Sequence, residues 1–186
     1  MQKLPNLPLI ALGLVVFLST ASLAQTSVPV RLASAENIED LFRPRIVPSG
    51  GAVNVRSLEH KAFDIINKKR AENGLEALSW NEQLEPVARV HSENMAQFEF
   101  FSHKGLDNKF VSDRADDAHI GKWRAIGENI AFSKGYADPV ALAVELWLDS
   151  PSHRRNMLDA TWRESAIGVA VAPDGSYYFT QVFLKK

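Results

Sequence analysis

The chain has 186 residues, a formal net charge of −1 and no cysteine. The near-neutral charge, with no basic run longer than Lys68-Lys69-Arg70, lacks the electrostatic footprint of nucleic-acid binding, so we expect no nucleic-acid partner. The absence of cysteine excludes both a disulfide framework and a cysteine nucleophile. A domain of this size can bury enough apolar surface to be stable without disulfides.

Residues 1–24 have the pattern of a secretory signal peptide. Lys3 precedes an apolar stretch at 7–18, and Ser22-Leu23-Ala24 places small residues at a cleavage site. The alternative is an uncleaved N-terminal anchor, although the apolar stretch is short for a membrane span. We expect a secreted or periplasmic protein with no transmembrane span after signal cleavage.

Residues 25–55 predict a flexible arm or linker, because proline and glycine interrupt a segment of poor apolar periodicity. Helical spacing of apolar residues begins at residue 56, so we place a globular domain at 56–186. Its first helix is predicted over 57–73, with Ser57 as the cap and Gly74 as the stop.

Three further helices follow in the predicted order. Asn81 is expected to cap a second helix that runs to Phe98, and residues 107–118 predict a shorter polar helix. Asp138-Pro139 opens a fourth helix, which is expected to stop near Ser150.

The C-terminal part predicts a β-hairpin. Strands over 166–171 and 177–184 flank the turn at 172–176, and residues 78–80 form a short extended link earlier in the chain. Helices come first and the hairpin last. This order favours an α+β fold, with helices on an antiparallel sheet, over a parallel doubly wound fold.

One carboxylate and two histidines have the chemistry of a functional site. Glu128 lies in the segment 126–130, whose apolar residues would partly bury it, so it needs a partner. That partner is a histidine or a metal in one interpretation, and an arginine or a backbone segment in the other. His103 follows an aromatic pair, and His153 lies in a Ser-Pro-Ser turn. Such side chains can form a divalent-metal site or an acid–base pair.

The other three histidines predict structural or solvated positions. His91 lies on the apolar face of the second helix and is expected to be buried against a backbone carbonyl. His60 and His119 are expected to be solvated. The sequence has neither a Gly-x-Ser-x-Gly nucleophile elbow nor a His-Glu-x-x-His pair, so the usual motifs of serine hydrolases and zinc proteases are absent.

Taken in order, several motifs between Leu58 and Phe183 resemble the CAP superfamily of cysteine-rich secretory, antigen 5 and pathogenesis-related proteins. The likeness is to its bacterial branch, the SCP-like extracellular proteins. The motifs include Phe101-Ser102-His103, Gly127-Glu128-Asn129-Ile130-Ala131, Ser150-Pro151-Ser152-His153-Arg154-Arg155-Asn156 and Ile167-Gly168-Val169. The resemblance implies a three-layer α-β-α sandwich with a central antiparallel sheet and a wide, solvent-open cleft.

In animal and plant members of this superfamily, two histidines and two glutamates in the cleft can bind a divalent metal such as zinc. His103 matches the first histidine and Glu128 the first glutamate. Ser150 stands where the second glutamate would fall, and Tyr178 where the second histidine would fall. His153 belongs to the bacterial pattern and is expected to face the same cleft.

The expected cleft residues are therefore His103, Glu128, Asn129, His153 and Tyr178, with His103 and His153 as ligands of a weakly bound divalent metal such as zinc. Glu128 is the candidate catalytic residue. Two arrangements stay open. Either His103, His153 and Glu128 all bind the metal, or the two histidines bind it and Glu128 activates water.

Three functions follow from these patterns. The leading one is a monomeric binding module for an extracellular or periplasmic ligand (a lipid, cell-wall material or a protein), without catalysis and without a certain cofactor. The alternative is a metal-dependent hydrolase of peptide or cell-wall substrates that uses His103, Glu128 and His153. In the third, these side chains form only a structural hydrogen-bond network.

Overall fold

The computed structural model describes residues 53–186. The predicted signal peptide and nearly all of the predicted arm lie outside this range, and the domain boundary at residue 56 stays a prediction. The described residues form five helices and four strands: α1 Val55–Glu72, β1 Ser79–Trp80, α2 Leu84–Gln97, α3 Val111–Asp117, β2 Ala125–Lys134, α4 Pro139–Asp149, α5 Pro151–Met157, β3 Glu164–Val171 and β4 Ser176–Lys185.

The four strands form one sheet in the order β1-β3-β4-β2. The predicted hairpin of β3 and β4 is antiparallel, and β2 pairs antiparallel with the other side of β4. The short strand β1 differs from the antiparallel expectation, because it pairs in parallel with β3 through two residues. The strand β2 is thus one edge of the sheet, and this position matters for the site.

Apolar residues cover both faces of the sheet. On β4, Phe179 and Phe183 pack with α1 and α4 on one face, whereas Val182 and Leu184 pack with α2 on the other. This alternation is the period-two pattern of a strand that is buried on both sides. It gives helix, sheet and helix layers, so the predicted α+β sandwich is confirmed.

Local capping decides where the predicted helices begin. The first helix begins before the predicted Ser57, because the side chain of Asn54 accepts a hydrogen bond from the Ser57 amide at 3.1 Å. Asn81 accepts from the amides of Gln83 and Leu84 at 2.8 and 3.1 Å, although the regular helix begins only at Leu84. Asp138 caps α4 as predicted, by accepting from the Ala141 amide at 3.0 Å.

Two elements of the structure were not predicted. The strand β2 was not predicted because Gly127, Glu128 and Asn129 break the apolar pattern that identifies a strand. The predicted Ser-Pro-Ser turn is the beginning of helix α5, with Pro151 at its first position. Both elements carry residues of the candidate site, and the polar residues that serve the site are the ones that obscured the pattern.

Candidate functional site

The candidate site is a cleft along the outer edge of β2. Glu128 and Asn129 are neighbours on this strand, so their side chains leave on opposite faces of the sheet. A cavity of about 560 Å³ lies at this edge. It is lined by Glu99, Phe100, Phe101, Ile130, Ala131, Phe132, Leu146, Trp147, Ser150, His153 and Tyr178.

The carboxylate of Glu128 is held by two partners. Its side chain is only 4% exposed, and Nδ1 of His103 lies 2.8 Å from its Oε1. Its Oε2 accepts a hydrogen bond from Nη2 of Arg114, with which it forms an ion pair. Both the histidine and the arginine of the sequence-based alternatives are therefore present, one on each oxygen.

His103 is the solvent-facing member of this group. Its side chain is 46% exposed, and Nδ1 donates to Glu128 because a carboxylate accepts, which leaves Nε2 for a ligand in the cleft. The loop that carries His103 is fixed by Arg114, whose Nη1 donates to the carbonyls of His103 and Lys109 at 3.2 and 3.0 Å. Arg114 therefore positions both members of the His103–Glu128 pair.

His153 brings a second imidazole to the cleft from α5. The centroids of the His103 and His153 rings are 6.3 Å apart, with an angle of 45° between the ring planes. Burial lowers the pKa of His153, and the neighbouring His103 lowers it further. His153 therefore presents a neutral ring to the cavity at neutral pH.

Asn129 was expected in the cleft, but its side chain is fully buried beneath it. Its Nδ2 donates to the backbone carbonyl of His153 at 3.1 Å, and its Oδ1 accepts from Nδ2 of Asn156 at the same distance. Asn156 also donates to the backbone carbonyl of Glu128 at 3.2 Å. The two asparagines thus join α5 to β2, and they fix His153 relative to Glu128.

The residues that the structure brings together do not fit a three-ligand metal centre. Within residues 53–186, no group of three or more histidine, aspartate or glutamate side chains is arranged to hold a metal ion. Nδ1 of His103 is engaged by Glu128, and Glu128 is engaged by Arg114. The expected zinc site with His103 and His153 as ligands therefore stays a prediction, and we derive no step through a metal.

Ser150 and Tyr178, which stand where the resemblance implied the second glutamate and the second histidine, both line the cavity. The nearby Glu145 lies about 140° around the helix from Ser150. It faces away from the cleft toward α1, where its carboxylate is 3.3 Å from Nζ of Lys69.

The apolar wall of the cleft was not recognised in the sequence. Phe101 of the loop after α2, Phe132 of β2 and Leu146 of α4 line one cavity and are 52%, 41% and 42% exposed. One signal was available, because Phe132 is four residues after Glu128 and so lies on the same face of a strand. This spacing could be interpreted only after the segment had been assigned as the strand β2.

The remaining histidines have structural surroundings. His91 is buried, and its Nε2 lies 2.9 Å from the carbonyl of Ser102, which confirms its predicted role and anchors the residue before His103. His60 is exposed, but its ring also packs on Trp80 with a centroid distance of 4.5 Å. His119 is exposed, as predicted.

The fold and the site define an α-β-α sandwich with a cleft along the sheet edge that is polar at one end and apolar at the other. Residues 63–183 match the family model described as "CAP: Cysteine-rich secretory protein family". The chain belongs to this family, and its similarity to bacterial SCP-domain proteins places it in the bacterial branch.

Two curated relatives come from Bacillus subtilis (strain 168). The chain is 34% identical to the uncharacterized membrane protein YlbC over 88% of its own length and 45% of that protein. It is 32% identical to the uncharacterized protein YkwD over 72% of its own length and 49% of that protein. The chain spans about half the length of the curated relatives it matches.

Solved structures with the same fold include an extracellular protein containing an SCP domain from Bacillus anthracis. It is 30% identical, with a TM-score of 0.62, over 74% of this chain and 45% of that one. An outer surface protein from Borrelia burgdorferi shares the fold at 18% identity, with a TM-score of 0.66, over 74% of this chain and 98% of that one. Among residues 53–186, no helix has the length and apolar character needed to cross a membrane.

Proposed function

We propose that this protein is an exported binding module whose cleft takes an extracellular ligand with an apolar part, such as a lipid or a lipid-bearing cell-wall component. The observation that carries the proposal is the cavity of about 560 Å³, whose walls are mainly aromatic and aliphatic. A concave apolar pocket with a few polar groups at one end is the usual form of a small-molecule site.

Export is supported by the signal-peptide pattern at residues 1–24. It is also supported by the similarity to the extracellular SCP-domain protein of Bacillus anthracis, at 30% identity. The ligand is accordingly expected in the periplasm or outside the cell.

The contacts of Glu128 favour binding over hydrolysis. A hydrolase would need this carboxylate as a metal ligand or as the base that activates water. In the structure it is buried between His103 and Arg114, and its two oxygens are occupied. This arrangement suits a fixed polar end of a binding cleft, where Nε2 of His103 contacts the ligand.

Calorimetric titration with decyl maltoside, an uncharged alkyl ligand used below its micelle concentration, tests the proposal. We expect saturable binding that Leu146→Asp abolishes, because this change places a charge at the apolar mouth of the cavity. Val90→Asp is the matched control, since Val90 is an exposed apolar residue of α2 that does not line the cavity. Equal binding by both variants would argue against this pocket.

The hydrolase alternative is tested by turnover assays with peptide and cell-wall substrates, with and without added zinc. We expect no metal-dependent turnover from the purified protein. Turnover that requires the metal and disappears in His103→Ala would overturn the proposed function.

A further inference from the structure

We propose that the apolar pocket selects ligands that carry an alkylammonium group, which Glu99 and the aromatic side chains of Phe101, Phe132 and Tyr178 recognise together. The inference rests on the proposed binding function and names the chemistry of the ligand. The four side chains line the same cavity, and within residues 53–186 neither His103 nor Glu128 is among its lining residues.

Glu99 stands at the meeting point of three cavities. It lines the apolar pocket and two adjoining ones of about 610 and 330 Å³. Its backbone has φ of 53°, in the left-handed region that residues other than glycine rarely adopt. The amide of Phe100 donates to the carbonyl of Met95 at 3.2 Å, so this conformation is the left-handed cap that ends α2. The cap places Glu99 among the residues that line the apolar pocket.

The side chain of Glu99 is exposed to solvent. In the range 53–186, it makes no hydrogen bond or ion pair. Lys134 lines the smaller adjoining cavity together with Glu99, and its Nζ is 2.6 Å from the carboxylate of Asp174. A positive group supplied by a ligand would therefore meet an unpaired negative charge.

The aromatic rings beside Glu99 form a connected group. The centroid distance is 6.3 Å between Phe101 and Phe132 and 5.0 Å between Phe132 and Tyr178, and both contacts are edge-to-face. All three rings line the cavity, and the faces of aromatic rings attract ammonium groups. Phe101 and Phe132 are about half exposed, so a ligand reaches them without unfolding the wall.

Two carboxylates act on this wall. The pKa of Tyr178 is raised by burial first, then by the carboxylates of Asp174 and Glu99, while Lys134 acts in the opposite direction. A carboxylate next to aromatic faces matches the two features that hold a methylated or primary ammonium, a nearby opposite charge and a polarisable ring. The alkyl chain of the same ligand would extend along Ile130 and Leu146. The ammonium can belong to a lipid headgroup or to a free alkylamine.

Three probes with chains of ten carbons separate charge from apolar contact: decyltrimethylammonium, decyl maltoside and decanoate, titrated calorimetrically below their micelle concentrations. We expect the ammonium probe to bind about tenfold more tightly than the maltoside, and decanoate to bind most weakly. Vesicles of phosphatidylcholine, compared with phosphatidylglycerol vesicles in a sedimentation assay, show whether the headgroup of an intact lipid is also recognised. Binding confined to the free amphiphile would identify the free alkylamine as the source.

Glu99→Gln removes the charge and keeps the side-chain length, and Phe132→Leu removes the ring and keeps an apolar wall. Both are expected to abolish the preference for the ammonium probe while maltoside binding persists. The matched control is Glu93→Gln, since Glu93 is an exposed carboxylate in the adjoining cavity but not in the aromatic pocket. A preference for ammonium that survives both variants would overturn the inference.

The outcomes also separate this inference from the proposed function. Equal affinity of the native protein for all three probes would refute ammonium selection and leave the apolar binding site standing. Absence of binding by every probe would refute both.

Discussion

Arg114 of α3 and Glu128 of β2 form an ion pair in which both side chains are largely withdrawn from solvent. Arg114 also donates to two carbonyls of the loop that carries His103. This arginine therefore joins the strand, the loop and the short helix at the polar end of the cleft. Removing it leaves a buried carboxylate whose remaining side-chain partner is a histidine.

Arg114→Met is expected to lower the free energy of unfolding by about 3 kcal/mol, because breaking a buried pair leaves an uncompensated charge. Urea denaturation measures this loss. The control is Arg154→Met, an exposed arginine of α5 that forms no ion pair within residues 53–186 and is expected to change stability by less than about 0.5 kcal/mol. The double variant Arg114→Met/Glu128→Gln should recover part of the loss. A double variant as unstable as the sum of the single ones would contradict coupling between them.

Stability is expected to fall as the pH drops below about 6.5, the ordinary histidine pKa. Burial lowers the pKa of His91, and the nearby Arg114 lowers it further. Below pH 6.5 the unfolded chain then binds more protons than the folded one, so the free energy of unfolding decreases until the pH reaches the folded-state pKa. The loss is at most about 1.4 kcal/mol for each pH unit.

His91→Gln keeps a donor for the carbonyl of Ser102 and removes the titration. Urea denaturation at pH 7.5 and 5.5 should show a smaller loss in this variant than in the native protein. His119→Asn serves as the control, because His119 is exposed and asparagine tolerates its φ of 55°. An equal pH dependence in the native protein and His91→Gln would exclude His91 as its source.

Gly168→Ala should be severely destabilising. A Cβ at this position of β3 would overlap the backbone atoms of Ala88 and Arg89 in α2, and a backbone cannot yield as a flexible side chain does. We expect a loss of about 3 kcal/mol or more, measured by chemical denaturation. Gly121→Ala is the comparison, since a Cβ there has nothing within 4 Å. Similar stability of the two variants would contradict the close helix–strand contact.

Glu99→Gly should stabilise the protein, because glycine adopts the φ of 53° without the clash that a side chain brings. The gain expected in thermal unfolding corresponds to about 0.5–1 kcal/mol. Glu93→Gly, inside α2, should instead lose about 1 kcal/mol of helix stability. If Glu99→Gly gains stability and loses the preference for ammonium ligands, the strain at Glu99 is retained for binding. A loss of stability would show that the glutamate makes favourable contacts in place of strain.

Much of the fold could be predicted because its signals are local. Asn81 and Asp138 act as caps, and the hairpin turn is followed by the strand that its spacing predicts. The strand β2 and the helix α5 could not be predicted from periodicity, since their polar residues face the site.

The candidate site was likewise predictable only in part. The sequence singled out Glu128 and His103, which are 25 residues apart and do pair, and it left open whether an arginine was the partner. Which arginine it is depends on where α3 packs, and the sequence carries no sign that distinguishes Arg114 from its neighbours.

By itself, the sequence determined the family, the α+β class and the polar residues at one end of the cleft, because these rest on ordered motifs and short-range patterns. Only the tertiary structure decided that Phe101, Phe132 and Leu146 form one apolar wall and that Glu99 faces it. The physical reason is that a loop, a strand and a helix meet at the open edge of β2, where side chains distant along the chain become neighbours.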